Sequence, residues 1–143
     1  MLMPGSNSPD TLVGGDGSDQ INGGPNRDSL FGGGGGDTLN GGIQSDKLRG
    51  GDGDDFINGG PGSDLMDGGA GDDTYLVSGI DDRVIEDAGG GTDTVLTTVS
   101  LVLNVYGDEV ENLTMRGASN LTGHGTVADN LMIGNSGDNT LYG

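Results

Sequence analysis

The sequence predicts an all-β protein that folds as a flattened parallel solenoid of short strands and Gly/Asp-rich turns. Three observations lead to this prediction. Residues 5–76 divide into eight nonapeptides without an insertion. Each nonapeptide has Asp at its sixth position and one large apolar residue two positions later. A glycine pair opens seven of the eight units, and the first unit opens with Gly5-Ser6.

The two parts of each nonapeptide favour different local structures. The first six residues are rich in glycine and suit a turn with positive φ angles. The last three suit a very short strand whose middle residue points inward. Two units then form one coil, so turns n and n+2 stack on the same edge, and each strand pairs with the strand one coil away. The predicted inward residues are Leu12, Ile21, Leu30, Leu39, Leu48, Ile57, Met66 and Tyr75.

The composition indicates that a ligand must stabilise this solenoid. The chain has 143 residues, of which 33 are Gly, and a net charge of −18. One apolar residue in nine gives a thin core, and such a composition is typical of disordered chains unless a ligand contributes stability. Every acidic residue before Glu86 is Asp. The shorter carboxylate suits a tight turn that brings it back onto its own backbone, which favours metal coordination over general surface charge.

Charge and motif content exclude several classes of function. The acidic balance argues against partners such as nucleic acid or an anionic membrane surface. No apolar run has transmembrane length, so we expect no membrane insertion. Pro4 and Gly5 follow Met1-Leu2-Met3 directly, which argues against a signal peptide. The chain has no Cys and therefore no disulfides. Neither a G-x-S-x-G nor an H-E-x-x-H motif is present, and we expect no catalytic residues and no enzyme activity.

The repeat register continues beyond residue 76 in a looser form. Residues 77–85 form a ninth unit that keeps Asp82 at the repeat position and Val84 as the inward residue. The next unit is longer by two residues, and it carries Asp93 and the inward Val95. Alternating apolar residues then predict one half-buried strand from residue 95 to residue 105.

The C-terminal part returns to a period of nine. Before it, a turn at 106–108 and a strand at 110–115 are expected. Asn130 and Asn139 then occupy the Asp position, with Met132 and Leu141 inward. The predicted regions are a nonapeptide β-roll at 5–76, a diverged continuation with longer strands at 77–116, and a second, Asn-containing repeat block at 117–143. Since Gly143 would open another repeat, we expect a fragment of a longer array, the alternative being a natural end with a frayed cap.

The whole of 5–143 resembles the RTX (hemolysin-type) calcium-binding regions of bacterial exported proteins. The GGxGxDxUx repeat carries the resemblance in the first half. In the second half it rests on the segments 73–77, 82–86, 90–95, 111–114 and 130–135. The resemblance implies a right-handed parallel β-roll that binds several Ca²⁺ ions. It also implies a secreted, extracellular protein that crosses the cell envelope unfolded by type I secretion.

The resemblance further implies a ligand scheme in which each ion lies between turns n and n+2. The lower turn gives the carbonyls of its second and fourth residues and its Asp, and the upper turn gives the carbonyls of its first and third residues and its Asp. On the edge of the even-numbered turns, the even edge, the expected ligands are Gly15, Gly17, Asp19, Gly32, Gly33, Gly34, Gly35, Asp37, Gly50, Gly51, Asp52, Gly53, Asp55, Gly68, Ala70 and Asp73. On the odd edge they are Asp10, Gly23, Gly24, Asn26, Asp28, Gly41, Gly42, Asp46, Gly59, Gly60, Gly62 and Asp64, while Asp82 and Asp93 are expected from the two looser units.

The two edges differ at the fourth turn residue. This residue is Gly in all four even turns, whereas the odd turns carry Ser8, Asn26, Gln44 and Gly62. If the position needs a positive φ, Asn tolerates it fairly well and Ser and Gln tolerate it poorly. We therefore predict a strong calcium edge and a weaker one. The alternative is that both edges fill alike.

Three functions share this chemistry. The leading one is a non-catalytic calcium-binding β-roll that folds on export. The second is part of a secreted enzyme, such as a protease, lipase or polysaccharide epimerase, whose catalytic domain lies elsewhere. The third is a spacer of a calcium-dependent adhesin. The expected partners are calcium ions and, in the last two cases, a catalytic or adhesive domain of the same parent protein.

Overall fold

The chain forms short parallel strands throughout the part that the computed structural model describes, residues 1–86, 90–103 and 109–143. These ranges contain no α-helix, and accordingly no helix that could cross a membrane. The strands are β1 Leu2–Pro4, β2 Thr11–Asp16, β3 Gln20–Pro25, β4 Ser29–Gly34, β5 Thr38–Ile43, β6 Lys47–Asp52, β7 Phe56–Asn58 and β8 Leu65–Ala70. They continue as β9 Thr74–Val77, β10 Arg83–Ile85, β11 Thr94–Thr97, β12 Leu101–Val102, β13 Asn112–Met115, β14 Thr122–His124, β15 Leu131–Ile133 and β16 Thr140–Tyr142.

Successive strands alternate between the two faces of the predicted solenoid. The odd-numbered strands form one sheet in the order β1-β3-β5-β7-β9-β11-β13-β15. The even-numbered strands form two sheets, β10-β8-β6-β4-β2 and β12-β14-β16. All pairs are parallel, and in the repeat region each residue pairs with the residue 18 positions further along, as Leu12 does with Leu30. The predicted coil of two nonapeptides is therefore confirmed.

The core is a file of apolar side chains between the two faces, as the repeat predicts. Ile21, Leu30, Leu39, Leu48, Ile57, Met66 and Tyr75 are buried, and Leu12 and Met132 are partly buried against them. The inward positions Val84 and Val95 of the looser units are buried as well. Leu141 differs from the prediction, because it is 39 % exposed. It lies on β16, at the edge of its sheet, where no further strand covers it.

Most strands of the first half are longer than the three residues that the repeat predicted, while β1 and β7 have three. Strands β2 to β6 and β8 each have six residues, because they continue into the glycine pair of the next unit. Gly15 pairs with Gly33 in the same ladder as the apolar residues. Without Cβ atoms the two backbones approach closely enough to continue the sheet. The glycine pair therefore belongs to the strand as well as to the turn.

The single strand predicted for residues 95–105 was wrong, since the chain forms two short strands in different sheets there. The Thr97 hydroxyl donates to the carbonyl of Val99 and accepts from its N–H, both at 3.1 Å, and this closes a turn after β11. The strands after β8 have two to four residues, so the longer strands expected in the second half are absent from the described residues. Val105 and the turn predicted at 106–108 lie outside these residues, as does Gly89.

The lengthened unit shifts the register where the sequence predicted it. Thr74 on β9 pairs with Thr94 on β11, a step of 20 residues instead of 18. The sheet stays parallel and continuous across this step. The two extra residues therefore lie in the sequence between β10 and β11.

Candidate metal centre

Two columns of buried carboxylates run along the edges of the solenoid. Nine aspartates at the repeat position are at most 6 % exposed: Asp19, Asp28, Asp37, Asp46, Asp55, Asp64, Asp73, Asp82 and Asp93. From Asp28 onward the Oδ1 atom of each accepts a hydrogen bond of 2.6 to 3.2 Å from the backbone N–H of the Asp one coil earlier. Glu111 continues the even column, because its Oε2 accepts from the N–H of Asp93 at 2.7 Å.

The second oxygen of these carboxylates has no protein partner in six cases. Oδ2 is buried and without a hydrogen bond in Asp28, Asp37, Asp46, Asp55, Asp64 and Asp73. Leaving a buried polar atom unpaired costs free energy comparable to a lost hydrogen bond, and more for a charge. Burial accordingly raises the pKa of Asp46, Asp55 and Asp64 to about 6, although the backbone hydrogen bond to each carboxylate lowers it. A cation would relieve this cost.

Oxygens converge on the space above the first glycine of five turns. A Cβ atom on Gly41 would lie 2.5 Å from Oδ2 of Asp46 and 2.7 Å from the carbonyl oxygen of Gly59. The second of these belongs to the turn one coil later. The same arrangement of own-turn carboxylate and next-coil carbonyl recurs at Gly14, Gly23, Gly32 and Gly50. Both atoms are oxygens with free lone pairs. This ligand set fits a hard cation such as Ca²⁺, which binds six to eight oxygens.

The backbone of the fourth turn residue is uniform on the even edge. Gly17, Gly35, Gly53 and Gly71 have φ angles of 91°, 93°, 112° and 134°. Their N–H groups donate to the third carbonyl of the turn one coil later, at 2.5 to 2.7 Å. The expected ligand carbonyls of Gly34, Asp52 and Ala70 are therefore already hydrogen-bonded, with one lone pair each left for an ion.

The odd edge has no such uniformity. Asn26 and Gln44 adopt positive φ angles of 88° and 75°, whereas Ser8 and Gly62 do not. Gln44 adopts this conformation, and its N–H donates to the carbonyl of Pro61 at 2.9 Å as on the even edge, while the low tolerance predicted for Gln stays a prediction. The interior aspartates are alike on both edges, because Oδ2 is buried and unpaired in three aspartates of each column. The predicted difference in calcium strength stays a prediction.

Two turns on the odd edge satisfy their aspartate internally. The N–H of Ser6 donates to Oδ2 of Asp10 at 2.6 Å. The N–H groups of Ser78 and Gly79 donate to Oδ2 of Asp82 at 3.1 and 3.0 Å. In both turns Ser replaces the second glycine, a signal that the sequence offered and that the ligand prediction did not use. Asp10 and Asp82 thus have protein donors that the six interior aspartates lack.

The Asn residues of the C-terminal repeats donate hydrogen bonds where Asp cannot. Nδ2 of Asn130 donates to the carbonyls of Val110 and Glu111 at 3.3 and 3.2 Å. Nδ2 of Asn139 donates to the carbonyls of Asn135 and Gly137 at 3.2 and 2.6 Å. The amide of Asn139 thus supplies hydrogens to the second and fourth carbonyls of its own turn, which the ligand scheme assigns to a cation. The carbonyls bonded by Asn130 lie outside that scheme.

A cluster that the sequence analysis missed lies at the register shift. Ligand oxygens of Asp73, Glu86 and Asp93 are all within 4.8 Å of one another. The hydroxyl of the buried Tyr75 donates to Oε1 of Glu86. Burial, together with the charges of neighbouring carboxylates, raises the pKa of Asp73 to about 7 and that of Glu86 to about 8. Two signals pointed here: Glu86 is the first Glu of the chain, and Tyr75 is the only aromatic inward residue of the eight repeats.

A parallel β-roll with columns of buried, unpaired carboxylates at its turns is a metal-binding repeat protein. The chain matches the family model of the RTX calcium-binding nonapeptide repeat (4 copies) at residues 4–39, 40–75 and 124–143, which is more than half of its length. It belongs to this family, and its cofactor is calcium. No curated protein and no solved structure matches the chain.

Proposed function

We propose that this calcium-binding module has a structural, non-catalytic role, is disordered without calcium, and folds outside the cell when calcium fills its turns. The observation that carries the proposal is the set of six buried Oδ2 atoms without a donor. We infer that the ligands are the aspartates and turn carbonyls named from the sequence, above all those around the six interior aspartates.

The charge distribution supports this coupling between calcium and folding. The chain carries a net charge of −18 and only five Lys and Arg residues. Among the described residues the ion pairs are those of the N-terminal ammonium with Asp19 and of Arg49 with Asp67. The interior of each column therefore has no cationic side chain to offset it. Divalent ions between successive turns would offset the charge of a column, and their binding free energy would become folding free energy.

The proposed place of folding follows from calcium supply. A chain that needs calcium to fold stays disordered where calcium is scarce, as in the cytosol, and folds where it is abundant. This suits export of an unfolded chain by type I secretion. The resulting rod would serve as a stiff, calcium-dependent unit beside a catalytic or adhesive domain of a longer protein.

Circular dichroism tests the proposal directly. In EDTA the chain should give the spectrum of a disordered protein, and millimolar calcium should restore the β signal. Magnesium is the matched control, and it should substitute poorly because it demands a tight octahedral site and retains its waters. A calcium-free chain with the full β signal would refute calcium-coupled folding.

A further inference from the structure

The lengthened unit after the eighth repeat brings a third carboxylate to the even edge. In the repeat region each ion would lie between two aspartates one coil apart. Between Asp73 and Asp93 the step is 20 residues, and Glu86 lies in the connection that contains the two extra residues. Its carboxylate approaches both aspartates, with all three ligand oxygens within 4.8 Å of one another.

Two oxygens of this cluster are buried and have no hydrogen-bond partner. Asp73 is 1 % exposed, and its Oδ2 atom is unpaired because only Oδ1 accepts the N–H of Asp55. Oε2 of Glu86 is also buried and unpaired. Tyr75 fixes the orientation of Glu86, since its hydroxyl donates to Oε1 and leaves Oε2 free. A Cβ atom on Gly68 would collide with both Oδ2 of Asp73 and the hydroxyl of Tyr75, so these groups share one space.

The dimensions of the cluster fit a calcium ion. Calcium binds oxygen at about 2.3–2.6 Å, so two oxygens on the same ion lie at most about 5 Å apart. The three carboxylates of this cluster meet that limit without rearrangement of the backbone. No ion pair of the described residues involves them, so no Lys or Arg offsets their charge. A site with three carboxylates is also more negative than the two-aspartate sites of the interior repeats.

We propose that Glu86 is a third carboxylate ligand of the calcium ion between Asp73 and Asp93, and that Tyr75 is its positioning residue. This inference rests on the proposed calcium binding at the turns and adds a residue outside the nonapeptide pattern. The site would bind calcium more tightly than the interior even-edge sites, because it offers one more anionic ligand.

Terbium luminescence provides a site-specific test, because terbium ions occupy calcium sites and emit when a nearby tyrosine is excited. The chain has three Tyr and no Trp. Tyr142 stacks on His124 at 4.4 Å in a different part of the roll, whereas Tyr75 adjoins the cluster. We expect tyrosine-sensitised terbium emission from the wild type that calcium displaces. Tyr75→Phe should abolish most of this emission. Emission unchanged in Tyr75→Phe would place the bound ion elsewhere and overturn the proposal.

Glu86→Gln tests the ligand itself. The change keeps size and an oxygen that can accept from Tyr75, but it removes the negative charge. We expect the terbium and calcium affinities of this site to fall by roughly tenfold or more, the scale on which metal sites lose affinity when a supporting group is removed. Glu109→Gln is the matched control, because it removes the same charge outside the cluster. Equal affinities in the two variants would overturn the role of Glu86.

A crystal of the calcium-loaded wild type keeps the proposal testable if Glu86→Gln does not fold. Anomalous scattering should place an ion at about 2.3–2.6 Å from a carboxylate oxygen of Glu86. An ion bound by Asp73 and Asp93 but not by Glu86 would overturn the proposal while leaving the proposed function intact. A wild-type chain that neither binds calcium nor changes its fold with it would refute the proposed function instead.

Discussion

The backbone N–H of Asp37 donates a 2.6 Å hydrogen bond to Oδ1 of Asp55, the equivalent residue one coil later. Because Oδ1 holds the neighbouring coil, only Oδ2 of Asp55 remains for an ion. In each of the six interior aspartates the two oxygens thus have different roles: Oδ1 accepts the backbone hydrogen bond, and Oδ2 is available to an ion. Oδ1 is satisfied by the backbone, whereas the unpaired Oδ2 makes the same residue costly to bury until a cation binds.

The edge asymmetry predicts different effects for Asp37→Ala and Asp28→Ala. Each change removes one backbone acceptor, for the N–H of Asp19 or of Asp10, both at 2.8 Å. The difference between the variants therefore reports on the ions. We expect Asp37→Ala to raise the calcium midpoint of folding more than Asp28→Ala does, since it leaves buried charges on the strong edge uncompensated. The corresponding difference in the free energy of calcium-coupled folding is about 1–3 kcal/mol. Calcium titrations followed by circular dichroism measure both midpoints, and equal shifts would show that the edges are equivalent.

The space above the first glycine predicts that Gly50→Ala weakens calcium-coupled folding. The added Cβ atom would collide with Oδ2 of Asp55 and lie 2.7 Å from the carbonyl oxygen of Gly68. We expect the free energy of calcium-coupled folding to become less favourable by about 1–3 kcal/mol, as for other overpacked sites. Gly34→Ala is the matched control, because it lies on the same edge with no atom closer than 4.0 Å. Equal calcium midpoints in Gly50→Ala and Gly34→Ala would show that the space above Gly50 does not hold the ion.

The raised pKa values predict that acid favours the calcium-free fold. Burial raises the pKa of Asp46, Asp55 and Asp64 to about 6, of Asp73 to about 7 and of Glu86 to about 8. In the unfolded chain these groups titrate near 4, so the folded chain binds more protons between these values. Their contribution to stability is complete below pH of about 4 and is lost as the pH rises through 6 to 8.

Calcium-free samples at several pH values test this sign. The β signal in circular dichroism should be larger near pH 5 than at pH 8 when no calcium is present. Calcium binding should release protons between these values, because the ion requires deprotonated carboxylates. A calcium-free β signal that grows toward pH 8 would show that the buried columns do not titrate as described.

The amide donors of the C-terminal repeats predict that turns 125–142 hold no calcium at full occupancy. Asn130 and Asn139 each offer one neutral oxygen, and Nδ2 of Asn139 already donates to the carbonyl of Gly137 in its own turn. Anomalous diffraction from calcium-loaded crystals should show ions along the Asp columns and none between these turns. A full-occupancy ion beside Asn130 would mean that the amide oxygen ligates as well as a carboxylate does.

The sequence predicts the coil well because each nonapeptide contains the residues of its own turn, its strand and its inward side chain. Its limits lie where the structure depends on contacts between coils. The alternation of apolar residues after Val95 is the same for one long strand as for two short ones, and the hydrogen bonds of Thr97 decide between them. Glu86 escaped prediction for a similar reason. It lies outside the repeat pattern, and only the 20-residue step brings it to Asp73 and Asp93.

The 18-residue register also sets the unit by which this molecule can change length. Successive nonapeptides supply strands to opposite sheets and carboxylates to opposite columns. Loss of a single nonapeptide would exchange the two sheets and the two columns for everything that follows it. Loss of two would leave each remaining strand in its sheet and each remaining carboxylate in its column. Insertion or deletion of an even number of nonapeptides therefore preserves the pattern of sites. Insertion or deletion of an odd number exchanges the two edges for all later repeats.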